Sequence, residues 1–77
     1  MSVILLFLRP EILKDERFAE FAPWDFDEED FIELDGQRYL VLPLDFDPNS
    51  GRILWGDWAG LKEEIERYKV AEYEVVV

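Results

Sequence analysis

The chain lacks cysteine, histidine and threonine altogether. Disulfide bonds are therefore excluded, and so are zinc or transition-metal sites built from Cys and His. Nucleophilic catalysis has only the hydroxyl groups of Ser2 and Ser50 to draw on, and no imidazole is present to activate them. We therefore expect a protein that is not an enzyme and that holds no cofactor.

Long hydrophobic runs are also absent. The apolar stretch SVILLFL covers residues 2–8, whereas a membrane-spanning helix needs about 20 apolar residues. The stretch also lacks the positive leader and the cleavage site of a secretion signal. We expect a cytoplasmic protein without a membrane partner, and the lack of cysteine agrees with a reducing compartment. The scarcity of Asn, Gln and Cys beside abundant Glu, Lys and Arg is typical of a thermophilic source.

The chain is rich in apolar and acidic residues. Its 77 residues are 49% hydrophobic and 16% aromatic, which indicates one densely packed domain rather than a disordered chain. Nineteen Asp and Glu against eight Lys and Arg give a net charge of −11, beyond the roughly 2 to 8 charges recommended for a small domain. Such a chain repels nucleic acid and anionic membranes, and it attracts basic surfaces.

The residue patterns predict an α+β domain with the order β-α-β-β-(β)-α-β. Omitting the short third hairpin strand gives the ferredoxin-like pattern, a mostly antiparallel sheet with two short helices on one face. A short turn followed by a helix over 15–22 is the alternative for the first helix. The predicted strands are 2–9, 31–34, 38–46, 52–56 and 70–77, and the predicted helices are 10–22 and 59–69.

Two turns have their own signals. The Asp35-Gly36 pair is typical of a type I′ hairpin. In DFDPNSG, the alternating Asp45, Asp47 and Asn49 resemble the start of an EF-hand calcium loop. However, Ser50 stands where the glycine is required and the twelfth position is Gly56. A hairpin turn capped by Asp47 is therefore the favoured interpretation, and we assign no metal site.

The stretch FAPWDFDEEDFIELDG, residues 21–36, carries the strongest charge. Seven carboxylates and no basic residue lie between Asp25 and Asp35. They form a solvated loop, a weak cation site at Asp25, Asp27, Glu28 and Asp30, or a surface for a basic partner. In an extended segment alternate side chains lie about 6.6 Å apart, close to two phosphate steps of duplex DNA at about 6.8 Å. We expect the apolar residues of this stretch to anchor it to the core.

Tryptophans beside the acidic residues complete the predicted partner-binding surface, because interfaces use aromatic anchors within a polar rim. The candidate residues are Trp24, Asp25, Asp27, Glu28, Glu29, Asp30, Glu33, Asp35, Trp55 and Trp58. The leading hypothesis is a small inhibitor or nucleic-acid mimic. It would occupy a basic, nucleic-acid-binding surface of another protein without binding nucleic acid itself.

Size and charge support that hypothesis by analogy with viral or mobile-element inhibitors such as anti-CRISPR proteins. The alternative is a self-associating structural module, for instance a homodimer. It is motivated by the apolar first strand and the EVVV segment at 74–77, either of which would lie at an open sheet edge.

Overall fold

A computed structural model of the chain describes residues 2–21 and 26–76. Three 3₁₀ segments at Pro10–Lys14, Glu28–Asp30 and Gly56–Leu61 join or precede the regular elements. The strands are β1 (Ser2–Leu8), β2 (Phe31–Leu34), β3 (Gln37–Asp47), β4 (Arg52–Leu54) and β5 (Lys69–Val76), and the helices are α1 (Glu16–Phe21) and α2 (Lys62–Tyr68).

The five strands form one antiparallel sheet in the order β2-β3-β1-β5, and β4 pairs with the far end of β3. Because β3 lies between β1 and β2, and β1 lies between β3 and β5, each helical connection joins two strands that are not neighbours. This is the split βαβ arrangement of the ferredoxin-like pattern. The predicted α+β class is therefore confirmed, with β4 as an added short strand.

The hydrophobic core lies on one face of the sheet. Alternate residues of β1 and β3 meet there as the register pairs Ile4–Leu44, Leu6–Leu42 and Leu8–Leu40. The helical layer covers these leucines and isoleucines with four side chains that are at most 2% exposed, Ile12, Phe18, Leu61 and Ile65. Both helices therefore pack on the same face, as predicted.

The first helix differs from the prediction of a continuous helix over 10–22 and agrees with the alternative, a short turn followed by a helix. The chain forms a 3₁₀ segment, turns extended at Asp15 (φ −70°, ψ 127°), and then begins α1. Ile12 and Phe18 are six positions apart, so an unbroken helix would point them about 120° away from each other. The break at Asp15 lets both side chains reach the sheet. Asp15 Oδ1 also accepts hydrogen bonds from the amides of Arg17 and Phe18.

Local turn signals agree with the structure. Asp35 and Gly36 have φ values of 53° and 79°, as the predicted type I′ hairpin requires. Pro43 lies where β3 has one unpaired side, since pairing with β2 ends at Leu40 and pairing with β4 begins at Asp45. No helix within residues 2–21 and 26–76 combines the length and the apolarity needed to cross a bilayer.

Candidate interaction surfaces

The acidic segment before β2 is compact rather than extended. Glu28–Asp30 form a 3₁₀ turn. The Asp27 amide donates to Asp30 Oδ2 at 2.7 Å, and the Asp30 amide donates to the Asp27 carbonyl at 2.9 Å. These two aspartates thus stabilise the turn. The expected spacing of an extended row of carboxylates is wrong for this part of the segment.

Arg38 on β3 neutralises part of this charge. Its Nη2 lies 3.2 Å from Glu28 Oε1, and its guanidinium carbon lies 4.2 Å from the centre of the Phe31 ring. Within the described residues, the exposed carboxylates of Glu29, Glu33 and Asp35 have neither an ion pair nor a hydrogen bond. They are the members of the predicted acidic surface that remain available to a partner.

The predicted tryptophan anchors lie in different places. Trp24 and Asp25 fall outside the described residues. Trp55 and Trp58 are half-buried and pack against the core from the helical side. The Trp58 ring is stacked on Phe18 with centroids 5.8 Å apart, and Lys62 Nζ lies 5.7 Å from the centre of the Trp55 ring. Both tryptophans therefore stabilise the helical layer.

The apolar residues of the acidic stretch divide into two groups. Phe26 and Phe31 pack against the core, and the Phe26 ring lies 6.0 Å from that of Phe18. Ile32 and Leu34 do not, since they are 38% and 42% exposed. The expectation that the apolar residues of this stretch anchor it to the core is therefore wrong for Ile32 and Leu34, which belong to the opposite side of the sheet, and for Phe21, which is 57% exposed on α1.

That opposite side is apolar on every strand, and no helix of the described chain covers it. Directly opposed residues in an antiparallel ladder point to the same side of a sheet. The registers therefore define one continuous surface, here called the open face. Its apolar members are Val3, Leu5, Phe7, Ile32, Leu34, Tyr39, Val41, Pro43, Leu54, Ala71, Tyr73 and Val75.

Charge is scarce on the open face. The charged residues at its strand positions are Asp45, Asp47 and Arg52, which cluster at the end where β3 meets β4. Most of the net charge of −11 therefore lies on the helical side, at the sheet edges and in the turns. The molecule has one charged side and one nearly uncharged apolar side.

Aromatic rings occupy the end of the open face that is far from Asp45, Asp47 and Arg52. The Phe7 ring lies 6.4 Å from that of Tyr39 and 5.2 Å from that of Tyr73, the second contact being edge-to-face. Although Phe7 faces the open side, these tyrosines reduce its exposure to 8%. Leu34, Val70, Asp35 and Gln37 border a shallow cleft of about 250 Å³ over these rings.

The DFDPNSG segment is a capped turn, as favoured from the sequence. Asp47 Oδ1 accepts a hydrogen bond from the Asn49 amide at 3.0 Å, and Oδ2 accepts one from Ser50 Oγ at 2.9 Å. Gly51 has a φ of 71° and donates its amide to the Asp47 carbonyl. Asp45 lies apart from this turn cluster, exposed on β3. In the described part of the chain, no three His, Cys, Asp or Glu residues are grouped to hold a metal ion.

The same hydrogen bonds act on the acid–base behaviour of Asp47. The Ser50 hydroxyl, followed by the Asn49 amide, lowers the pKa of the Asp47 carboxyl below its ordinary value. The charged form is therefore favoured by folding. Its contribution to stability is present above the ordinary pKa and is lost as the pH falls through the lower, folded-state pKa.

Comparison of the chain with protein-family models, with curated proteins and with solved structures gave no match. The arguments about function therefore depend on the two surfaces described above. Sequence reasoning missed the open face, although its signal was present. β1 is apolar at every position but the first, and two short helices can cover only one side of a sheet.

Proposed function

We propose that the chain is a non-enzymatic protein-binding module whose main binding surface is the open face of the sheet. The observation that carries this proposal is the residue pattern of β5. Tyr73 and Val75, on the open face, are 56% and 40% exposed. Glu72 and Glu74 lie opposite Leu6 and Ile4, on the helical side of the same strand, and are also exposed.

When both sides of a strand are exposed to water, folding of the single chain does not require apolar and charged residues to lie on different sides. From Ala71 to Val75 the two kinds are separated, because the apolar side chains continue the open face and the glutamates continue the charged side. Val76, opposite Ser2 on the helical side and 77% exposed, is the exception. Fully burying one large apolar side chain contributes about 1.5–3 kcal/mol. Tyr73, Val75 and Leu34 are exposed in the single chain, and a partner that covers them would bury their apolar surface.

The chemistry of the open face favours a protein as the binding partner over a nucleic acid. Its three rings, Phe7, Tyr39 and Tyr73, resemble a stacking platform for unpaired bases. Such platforms are accompanied by Lys and Arg that follow the phosphates, and among the described residues Arg52 is the one cation at a strand position on this face. The surrounding negative charge also repels a polyanion.

Site-specific photo-crosslinking in living cells tests the proposal. Benzoylphenylalanine placed at Tyr73, on the open face, is expected to form a covalent adduct with another polypeptide. The matched control is the same probe at Phe21, on α1, because Phe21 is 57% exposed and aromatic but lies on the helical side. An adduct at residue 21 of equal yield, or none at residue 73, would contradict a role for the open face.

A second candidate function is the inhibitor of a basic, nucleic-acid-binding protein. The observation that favours it is the set of carboxylates without partners in the described residues, Glu29, Glu33 and Asp35, grouped around the β2–β3 hairpin. Three like charges held on one hairpin create a local negative potential that a Lys- and Arg-lined groove would neutralise. This function uses the charged side and leaves the open face unexplained.

Neutralising those three residues tests the second candidate without disturbing the turn that Asp27 and Asp30 stabilise. The variant Glu29→Gln/Glu33→Gln/Asp35→Asn keeps side-chain shapes, and asparagine tolerates the positive φ of residue 35. Immobilised wild-type chain is expected to retain a basic protein that duplex DNA displaces, and the variant is expected to lose it. The control Glu16→Gln/Glu20→Gln/Glu63→Gln has the same net charge. Equal retention by both variants would show that the hairpin has no special role.

A further inference from the structure

We infer that the occupant of the open face is a second copy of this chain, so that two sheets pack face to face in a symmetric dimer. This inference rests on the proposed function and adds the identity of the partner. A twofold dimer needs a surface that complements itself. The open face meets this need, because it is a broad apolar sheet surface that carries little charge of either sign.

The dimensions of the open face suit sheet-on-sheet packing. Four strands about 4.8 Å apart and seven residues rising about 3.3 Å each give a face of about 19 Å by 23 Å, or about 440 Å² in projection. Side chains that interdigitate bury more area than the projection. Two copies therefore bury on the order of 1,000 Å² in total, near the lower limit for a specific interface. Twisted sheets pack in this way about 10 Å apart.

The distribution of charge also suits self-pairing. Each copy has a net charge of −11, so two copies repel each other in most orientations. Contact through the open face keeps Glu72 and Glu74, which lie on the helical side of β5, away from the interface. The charged residues that this pairing brings near the interface are Asp45, Asp47 and Arg52, at one end of the open face.

The sign of the salt dependence follows from this charge. Adding salt screens the repulsion between two acidic copies, so the dimer is expected to become tighter as ionic strength rises. Binding of a basic protein to the charged side changes in the opposite direction. The salt dependence of an observed complex therefore distinguishes the two surfaces.

Analytical ultracentrifugation of the purified full chain tests the inference. We expect a monomer–dimer equilibrium with a dissociation constant on the order of 10 μM, appropriate to an interface of this size, and tighter association in 1 M NaCl than in 50 mM NaCl. The variant Tyr73→Lys should weaken the dimer at least about tenfold, because it places an ammonium group, which is costly to remove from water, on the packed apolar surface. We expect this weakening although Tyr73→Lys lowers the net negative charge and so reduces the repulsion between the two copies.

Two further variants make the result specific. Leu34→Lys changes the opposite strand, β2, of the same face, where Leu34 is 42% exposed, and it should weaken the dimer to a similar extent. Phe21→Lys makes the same change of charge at an aromatic residue of the helical side and should leave the dimer unchanged. Circular dichroism and the melting temperature confirm that each variant is folded.

Each outcome is decisive. A wild-type chain that stays monomeric at 500 μM in both salts overturns the inference. So does a dimer that survives both Tyr73→Lys and Leu34→Lys, because its interface would then lie elsewhere, for example at the outer edge of β5. If the purified chain is monomeric while the probe at residue 73 still captures a different protein in cells, the proposed function stands and only the identity of the partner is wrong.

Discussion

Replacing Leu6 with alanine is expected to lower the free energy of unfolding by about 3 kcal/mol, within the range of about 2–5 for buried leucines. Leu6 is fully buried at the centre of β1, opposite Leu42, where the helical layer covers the sheet. A chain of this length has a total stability of about 4–12 kcal/mol. The substitution therefore removes a large share of the total stability. If the wild-type stability is near the lower end of this range, much of the variant is unfolded at 37 °C.

Urea denaturation followed by tryptophan fluorescence measures this loss. The matched control is Leu13→Ala. It makes the same chemical change at a residue of the helical side that is 37% exposed. It should cost less than about 1 kcal/mol. Similar losses in the two variants would mean that the core is not where the register of β1 and β3 places it. Working at low micromolar protein concentration keeps the effect of any dimer out of the comparison.

Replacing Arg17 with alanine is expected to cost about 2 kcal/mol, the second largest effect predicted for a single residue. The Glu64 side chain is 6% exposed, and Arg17 Nε lies 3.1 Å from its Oε1. Arg17 also donates to the carbonyl of Gly60 at 3.3 Å, so it joins α1 to the segment that leads into α2. Without Arg17 a buried carboxylate loses its ionic partner, which costs more than the loss of an exposed pair.

Two comparisons test this explanation by the same denaturation measurement. Arg38→Ala also removes an arginine from an ion pair, but both partners are exposed, so it should cost at most about 1 kcal/mol. The double variant Arg17→Ala/Glu64→Leu removes the buried charge together with its partner and should recover most of the lost stability. If the double variant is less stable than Arg17→Ala alone, the buried carboxylate is not the cause.

Local signals in the sequence were sufficient to predict the elements whose conformation is determined by neighbouring residues. The Asp35-Gly36 turn follows from the need for positive φ, and the Asp47 turn follows from a short carboxylate that accepts the amide two residues on. The strand order follows the βαββαβ pattern. Each of these depends on a few neighbouring residues or on the succession of elements, both of which the sequence displays directly.

The break at Asp15 was predicted only as an alternative to a continuous helix, and the open face was missed although β1 carried its signal, because both depend on the tertiary arrangement. Asp15 interrupts a fair helical pattern so that Ile12 and Phe18 reach the same sheet. The exposure of Leu34 depends on which side of β2 the helices cover, and a residue list does not give this. The carboxylate of Asp30 was predicted as part of a display surface, yet it accepts a hydrogen bond from the Asp27 amide and so also stabilises a turn.

The position of β1 between β3 and β5 has a consequence for the kinetics of folding. Its neighbours are distant along the chain, since Leu8 pairs with Leu40 and Ser2 pairs with Val76. The central strand gains its partners only after two long loops have closed, and closing them costs chain entropy before any ladder forms. The most apolar segment of the molecule therefore stays unpaired longest. We therefore expect the closure of the ends around β1, rather than formation of the β2–β3 hairpin, to be the rate-limiting step of folding.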